Sequence, residues 1–258
     1  MKKFFSIVLF SSFATVLFSQ DIATGITPAT QNDDVQVLYR NEREFGFVLH
    51  SSGWGINYRR GKHITGYKKR TYELELVGMR NPKEFKRQVS DIGTKGYFYG
   101  KQYVLTFLRG GYGYHKVITG KSERRGVEVR LVSLAGPTLA FAKPVYINVQ
   151  YEDVGNPPPF VDIRTERFDI NNPRHVPAYI LGRAGYFRGV SEMNFYPGAF
   201  FKLALSFEHS SLDDDVRLLE TGITVDGFYK TIPMMANAKN NQVFVNVYLN
   251  IMFGKKWF

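Results

Sequence analysis

The residues able to catalyse a reaction are few and widely separated. Among the five histidines, only His209 has neighbours suited to catalysis, because Glu208 precedes it and Ser210 and Ser211 follow it. A hydrolytic site would need such a serine or carboxylate activated beside a histidine. Adjacent residues of a strand point to opposite faces, so Glu208 is not expected to assist His209. No metal-binding spacing such as HExxH includes the other four, which are His50, His63, His115 and His175. The sequence therefore predicts no catalytic residue and a protein that is not an enzyme.

Metal and cofactor sites have little support. Asp213, Asp214 and Asp215 offer the oxygen ligands that calcium prefers, but three consecutive aspartates without a calcium-loop spacing are more typical of a solvated turn. The chain has no cysteine, which excludes disulfides, thiolate metal sites, cysteine nucleophiles and the lipid-bearing cysteine of a lipoprotein. We therefore expect no metal and no cofactor.

One cluster of basic residues could bind an anion. It surrounds a predicted turn and consists of Arg59, Arg60, Lys62, His63, Lys68, Lys69 and Arg70. The formal net charge is +11, and removal of Lys2 and Lys3 with a leader would lower it to +9. Such a cluster could bind the phosphates of a glycolipid or an acidic partner protein. The plainer alternative is a solvated turn, and nucleic acid is not expected as a partner.

The first 19 residues have the pattern of a secretory leader. Lys2 and Lys3 precede an apolar run from Phe4 to Phe18, and Ser19 is small enough to precede a cleavage site. The apolar run is shorter than the ~20 residues that a membrane-spanning helix needs. We predict a signal peptide over 1–19 and a polar periplasmic segment over 20–43.

The end of the chain has the clearest strand pattern. Every second residue from Val243 to Phe253 is apolar, and the intervening residues are more polar. This period of two predicts a strand with one apolar face. A final amphipathic strand that ends on an aromatic residue, here Phe258, is typical of bacterial outer-membrane barrels.

The same alternation predicts eight strands, an even number that places both termini in the periplasm. The predicted strands are Glu44–Arg60, Tyr67–Arg80, Tyr103–His115, Gly126–Ala135, Thr138–Gln150, Gly198–His209, Val216–Tyr229 and Val243–Phe258. This division makes the first segment one bulged strand and breaks another at Ala135–Pro137. A second division, also with eight strands, breaks the first segment at Ser52–Gly53 and leaves 126–150 whole. We prefer the first division, because seven-residue strands would be short against the ~9–11 residues needed to span a membrane.

The preferred division assigns each connection to one side of the membrane. The loops expected outside the cell are Gly61–Gly66, Lys116–Arg125, Tyr151–Pro197 and Lys230–Gln242. The turns expected in the periplasm are Asn81–Gln102, Ala135–Pro137 and Ser210–Asp215.

The positions of the charged residues indicate which of the two rows of each strand faces the barrel interior. In a soluble barrel the apolar row fills the interior, whereas in a membrane barrel it faces lipid. The polar rows carry charges of both signs, which can neutralise one another inside an eight-stranded barrel. The predicted lumen charge network is Glu73, Glu75, Glu128, Arg130, Lys202, Glu208, Glu220 and Asp226. The pattern favours an all-β, eight-stranded antiparallel transmembrane barrel over 44–258 with a filled lumen, and a secreted soluble β protein is the alternative.

Several phrases resemble those of small outer-membrane barrels of the OmpA/OmpX kind, and more closely the barrels of Bacteroidota. They are Gly53–Gly61 (GWGINYRRG), Leu108–Gly111 (LRGG), Tyr248–Ile251 (YLNI) and Phe253–Lys255 (FGK). The resemblance implies an integral protein of the Gram-negative outer membrane. We expect a structural or accessory subunit of an envelope complex for protein insertion or secretion. Its partners would be outer-membrane lipids and other outer-membrane or periplasmic proteins. The alternatives are a lipid-modifying enzyme and a small pore.

Overall fold

The fold was examined in a computed structural model that describes residues 40–88, 95–120, 127–153, 160–209, 215–236 and 238–257. The strands are β1 Asn41–His50, β2 Gly53–Thr65, β3 Lys68–Met79, β4 Lys86–Arg87, β5 Tyr97–Phe98, β6 Tyr103–Thr119, β7 Glu128–Pro144, β8 Tyr146–Asp153, β9 Phe160–Arg167, β10 Ile180–Arg183, β11 Asn194–Glu208, β12 Asp215–Phe228 and β13 Val243–Trp257. The predicted signal peptide and the C-terminal Phe258 lie outside the described residues. No helix in the described ranges is both long and apolar enough to cross a membrane.

Eight of the strands form a closed antiparallel barrel, as the alternation predicts. Their order around the barrel is β1, β13, β12, β11, β7, β6, β3, β2. The first and last strands close it, because Leu49 of β1 pairs with Leu249 of β13 on one side and with Trp54 of β2 on the other. Closure satisfies the backbone groups of every edge, which is what a sheet inside a lipid bilayer requires.

The preferred division of the strands is wrong. The second division is right to break the first segment and to keep 135–137 within a strand, but its strand over 126–150 is too long, because β7 ends at Pro144 and Tyr146–Asp153 form β8 of a different sheet. The chain turns at Ser51 and Ser52, and β7 runs without interruption through Ala135–Pro137. Two physical effects explain the error. β1 begins at Asn41 and β2 continues to Thr65, so neither strand is too short to span. Pro137 removes one ladder donor but does not shift the register, since Arg109 pairs with Thr138 and Tyr112 with Ala135 in the same alignment.

Gly136 shows why this part of β7 resembles a turn in sequence. A Cβ atom built on Gly136 would stand 2.0 Å from the backbone oxygen of Gly110 on β6. A residue with a side chain would therefore force the two strands apart, so the glycine is required by close backbone approach rather than by a turn.

The corrected division also changes the side on which several connections lie. The end that carries Asn41 and Trp257 also carries the short connections 66–67, 120–127 and 209–214. The opposite end carries the turn 51–52 and the long connections 80–102, 145–193 and 229–242. In outer-membrane barrels the termini and short turns are periplasmic and the longer loops extracellular. The described parts of 81–102 are therefore extracellular, and those of 61–66 and 116–125 lie at the periplasmic end, the reverse of the prediction. The described parts of 151–197 and 230–242 keep their predicted side.

Charged residues face the inside of the barrel and apolar residues face outward. On β13, Val247 is 59% exposed and Phe253 is 62% exposed, whereas the neighbouring Asn246 and Asn250 are almost fully buried. Aromatic rings mark both ends of the outer wall, with Trp54 near the long loops and Trp257 near the termini. Such a wall would be unstable in water and matches the apolar band and aromatic girdles of a barrel in lipid. The protein is an integral outer-membrane β-barrel.

The long loops, which were expected to be irregular, form a folded extracellular cap. We define the cap as the described residues of 80–102, 145–193 and 229–242. It contains a three-stranded sheet, β10–β8–β9, and a two-stranded sheet, β4–β5. β8 follows β7 after the single residue Val145, whose backbone N–H donates to the carbonyl of Gln102 at 2.9 Å. The cap therefore continues directly from the barrel wall.

Candidate functional site

The centre of the lumen is organised around one buried arginine. Arg59 is fully buried and donates to three carboxylates: its Nε to Glu73 at 2.7 Å, and its terminal nitrogens to Glu220 at 2.8 and 3.0 Å and to Glu44 at 3.3 Å. The hydroxyl of Tyr248 donates to Glu220 at 2.7 Å. The planar guanidinium suits this arrangement because its donors diverge toward several acceptors at once.

A second group of ion pairs continues the network toward the cap. Arg109 donates to both carboxylate oxygens of Asp226, at 2.8 and 2.6 Å, and also pairs with Glu75. Lys202 links this group to the first, since its ammonium contacts both Glu75 and Glu73. The resulting chain of alternating charges crosses the barrel interior from β12 to β3 and β11.

A third group lies toward the periplasmic end. Lys69 donates to Glu42 at 2.8 Å and to Glu44 at 3.0 Å. Arg130 pairs with Glu208 at 2.9 Å and with Glu128 at 2.6 Å. Over the described residues the three groups contain seven buried carboxylates and five buried cations, each at most 4% exposed. Near balance of charge is what allows so many ionised groups to be buried together.

The extracellular part of the lumen is apolar instead. The rings of Phe107, Phe228 and Phe244 pack against one another in tilted and edge-to-face arrangements, with centroids 4.9, 5.4 and 5.8 Å apart. The 229–242 connection folds onto this cluster and buries Ile232, Met234 and Met235. Side chains thus fill both parts of the lumen, which we call the charged segment and the apolar segment.

One polar side chain holds the 229–242 connection in place. The side-chain oxygen of Asn240 accepts hydrogen bonds from the backbone of Met234 at 2.8 Å and Met235 at 3.2 Å. Its amide nitrogen donates to the carbonyl of Met235 at 3.1 Å. The backbone N–H of Ala236 donates to the carbonyl of Gly100 at 2.7 Å, which ties this connection to the 80–102 loop.

The structure places the predicted charge network in the lumen and divides the predicted basic cluster. All eight network residues face inward, although Glu128 is only partly buried. Arg59 and Lys69 also belong to the lumen and cannot reach a headgroup or a partner. Four of the remaining members are exposed on the outer wall near the periplasmic end: Arg60, Lys62, Lys68 and Arg70. The fifth, His63, is partly buried, with its Nε2 3.4 Å from a carboxylate oxygen of Glu42. The four exposed members lie at the end of the barrel opposite the cap, and their role in binding a glycolipid or an acidic partner stays a prediction.

Sequence reasoning missed Glu42, Glu44, Arg59, Lys69 and Arg109 as members of the lumen network. The signal was present for four of them. Once β1 and β2 are extended to their observed ends, the inward parity of Val48 includes Glu44 and Glu42, and that of Asn57 includes Arg59. Lys69 has the same parity as Glu73. The inward orientation of Arg109 could not be predicted, because both rows of β6 carry apolar residues around it.

The residues considered for catalysis and calcium do not come together in the described structure. Glu208 is buried in the lumen and His209 is exposed, so they point apart, as their adjacency predicts. Ser210, Ser211, Asp213 and Asp214 lie outside the described residues. Within the described ranges, no group of three or more histidine, aspartate or glutamate side chains could hold a metal ion.

The cap has a core of its own and an apolar outer surface. Tyr97, Ile147, Val149, Phe168 and Ile180 are buried together beneath the sheets. On its outside are three strongly exposed aromatic side chains, Phe85, Tyr186 and Phe187, of which Phe187 is 83% exposed.

A polar cluster lies beneath the 168–179 connection of the cap. The ring nitrogen Nε2 of His175 lies 3.1 Å from a carboxylate oxygen of Glu166, and the Tyr151 hydroxyl donates to the other at 2.9 Å. Partial burial raises the pKa of Glu166, but the hydrogen bonds from His175 and Tyr151 outweigh it and hold this pKa below its usual value.

Comparison with known proteins supplies similar folds only. No protein-family model matches the sequence, and no curated protein matches it. The attachment invasion locus protein Ail of Yersinia pestis is similar over 85% of this chain and 100% of its own, with 8% identity and a TM-score of 0.41. Neisserial surface protein A is similar over 85% of this chain and 97% of its own, with 9% identity and a TM-score of 0.43. A major outer membrane protein of Thermus thermophilus has 9% identity, 85% and 100% coverage, and a TM-score of 0.45.

Proposed function

We propose that this protein is a non-enzymatic, non-conducting outer-membrane barrel that holds a folded extracellular cap for a protein partner. In this role it is a structural or accessory subunit of a larger envelope complex, such as one for protein insertion or secretion. The observation that supports the proposal best is the combination of a lumen filled along its length with a cap that has its own core and exposed aromatic side chains. Its kinship with the Bacteroidota barrels stays a prediction from sequence phrases.

The filled lumen argues against a pore. A water-filled channel would leave its lining accessible, but Arg59, Lys202 and Glu220 have no exposed surface at all. Phe107, fully buried in the apolar segment, closes the other part of the interior. Eight-stranded barrels are only wide enough for side chains, and aqueous channels of this class need about 16 strands.

The cap surface argues for a protein partner. Aromatic residues are enriched in protein interfaces relative to the rest of the protein surface. Phe187 and Phe85 expose 83% and 78% of their surface, more than the lipid-facing Phe253 at 62%. Both belong to the cap, on the extracellular side of the barrel. A partner that buries them would gain ~25 cal/mol for each Å² of apolar surface removed from water.

The proposal is tested by gentle extraction of the tagged protein from its own membrane, after crosslinking, with identification of co-purifying proteins. The double variant Phe85→Ser and Phe187→Ser should lose the partner while the barrel still shows heat-dependent migration on a gel. Tyr67→Ser is the matched control, because Tyr67 is 74% exposed at the periplasmic end. Extraction of the wild-type barrel alone, with no crosslinked partner, would overturn the proposal.

A further inference from the structure

A groove runs along the extracellular rim of the barrel, between the outer wall and the cap. It has a volume of about 580 Å³, within the ~300–1,000 Å³ typical of ligand pockets. Its floor is the lipid-facing surface of β2 and β3, and its roof is the β10 region with Gly185 and Tyr186. We call this feature the rim groove. It shares no residue with the ion pairs of the charged segment.

The floor of the rim groove is continuous with the surface that faces lipid. It is formed by Trp54, Ile56 and Leu76, which are 56%, 41% and 43% exposed. Trp54 is the second residue of β2 and Leu76 lies three residues before the end of β3. At ~3.4 Å per residue, the floor therefore lies within ~10 Å of the strand ends. An acyl chain of the outer leaflet can enter it from the side without leaving the bilayer.

The upper part of the rim groove is basic. Its charged side chains are Arg80, Lys101, Lys143, Arg183 and Arg188, and no acidic residue lines it. Among the described residues, Lys101 is the only one of the five with an ion pair, to Glu84 at 2.7 Å. The ammonium of Lys143 lies 4.3 Å from the centre of the Tyr186 ring, which holds it at the groove edge. Four cations are thus collected around a concave site without carboxylate partners in the described structure.

We propose that the rim groove binds a phosphate-bearing acyl glycolipid of the outer leaflet. One acyl chain lies on Trp54, Ile56 and Leu76, and a phosphate of the headgroup is bound by Arg183 and Arg188. The apolar floor and the basic upper part together favour this class of ligand. A soluble phosphate compound would not need an apolar floor that opens into the bilayer, and a neutral lipid would leave the arginines unpaired. Arginine is suited to the role, because its planar guanidinium binds phosphate through two hydrogen bonds at once.

The proposal moves glycolipid recognition to residues that the sequence did not indicate. Arg183 and Arg188 belong to the cap, more than a hundred residues from Trp54, and only the folded cap brings them together. Phe85 and Phe187 do not line the groove, so lipid binding and partner binding can be tested with different variants.

The test measures lipid retention by native mass spectrometry of the full-length protein in detergent. The probes are a defined acylated glycolipid with two phosphates and the same lipid without phosphates. In the double variant Arg183→Gln and Arg188→Gln, retention of the phosphorylated lipid should fall roughly 10- to 30-fold, since each basic side chain contributes about 1 kcal/mol near an anionic headgroup. Wild-type retention should fall as salt rises, because salt screens the contact.

Two further variants keep the test decisive. Arg164→Gln with Arg174→Gln removes the same charge from exposed positions elsewhere on the cap and should retain the lipid. Gly185→Trp changes no charge but fills the groove, since no atom lies within 4 Å of the position of an added Cβ. It should also weaken retention, while heat-dependent migration shows that the barrel is intact. Equal retention by the two arginine double variants, or equal retention of the lipid with and without phosphates, would overturn the proposal.

Discussion

The charged segment and the apolar segment of the lumen are built on the inward-facing row of the same eight strands, yet different forces hold them. In the charged segment, buried carboxylates and cations neutralise one another, as around Arg59. In the apolar segment, the aromatic rings of Phe107, Phe228 and Phe244 are packed against the folded 229–242 connection. Ion pairing is essential to the charged segment, whereas side-chain volume is essential to the apolar segment. The variants below test that distinction.

The largest effect is expected from removing the central cation while keeping its volume. Arg59→Met leaves Glu44 and Glu220 buried close together and Glu73 with Lys202 as its remaining partner. Breaking a buried ion pair in this way costs about 3–5 kcal/mol, because the remaining charge is uncompensated. Unfolding by urea in lipid vesicles measures the loss. A loss below ~1 kcal/mol would show that the network adapts and that pairing does not control this segment.

The second-largest loss of stability is expected from a charge placed on the lipid-facing wall. This variant allows the outer wall to be compared with the lumen. Ile251 lies near the middle of β13 and is 42% exposed to the bilayer side. Ile251→Arg should cost about 2–4 kcal/mol, because an arginine near mid-bilayer is poorly solvated. Val243→Arg, at the extracellular end of the same strand, should cost ~0–1 kcal/mol. Equal costs in vesicle unfolding would mean that the bilayer is not centred on this part of the wall.

The apolar segment should tolerate a change that conserves most of its volume. Phe107→Leu keeps an apolar side chain in contact with Phe228 and Phe244 and should cost less than about 1.5 kcal/mol. The same vesicle assay applies, with Arg59→Met as the reference. If Phe107→Leu were the more destabilising variant, the contrast between pairing and volume would be reversed.

The smallest effect concerns the cap and depends on pH. The folded-state pKa of Glu166 is lowered from its ordinary value of 4.5, so its contribution to stability is present above pH 4.5 and is lost as the pH falls through the folded-state pKa. Proteolysis of the cap should therefore accelerate at acid pH. Glu166→Gln should make the cleavage rate less dependent on pH in that range. A wild-type rate that is constant from pH 7 to pH 3 would remove Glu166 as a pH-dependent contact.

The alternation of residue types predicted the barrel and the orientation of its faces. It placed Glu73, Lys202 and Glu220 on one inward row. The structure shows why: Glu73 pairs with Lys202, and Glu220 pairs with Arg59, on strands that are distant in sequence. Strand ends were less predictable. Inward charges at the end of a strand, such as Arg59 and Lys69, have the same composition as a solvated turn, so β2 seemed to end too early.

The cap and the rim groove could not be predicted in the same way. β8, β9 and β10 form a small sheet whose residues alternate too briefly to be distinguished from a loop. The groove combines Trp54 on β2, Leu76 on β3 and Arg183 on β10, and no local pattern links them. Such a site depends on the closure of the barrel and on the packing of the cap, which are both long-range properties.

The central claim is that side chains close the lumen while the barrel spans the membrane. Single-channel recording in a planar lipid bilayer, with protein whose heat-dependent migration shows that it is folded, tests it most directly. A lumen closed by side chains should give no conductance steps above the bare bilayer at moderate voltage. Stable, ohmic steps from the wild-type protein would contradict it, because they would require a continuous water path past Arg59 and Phe107.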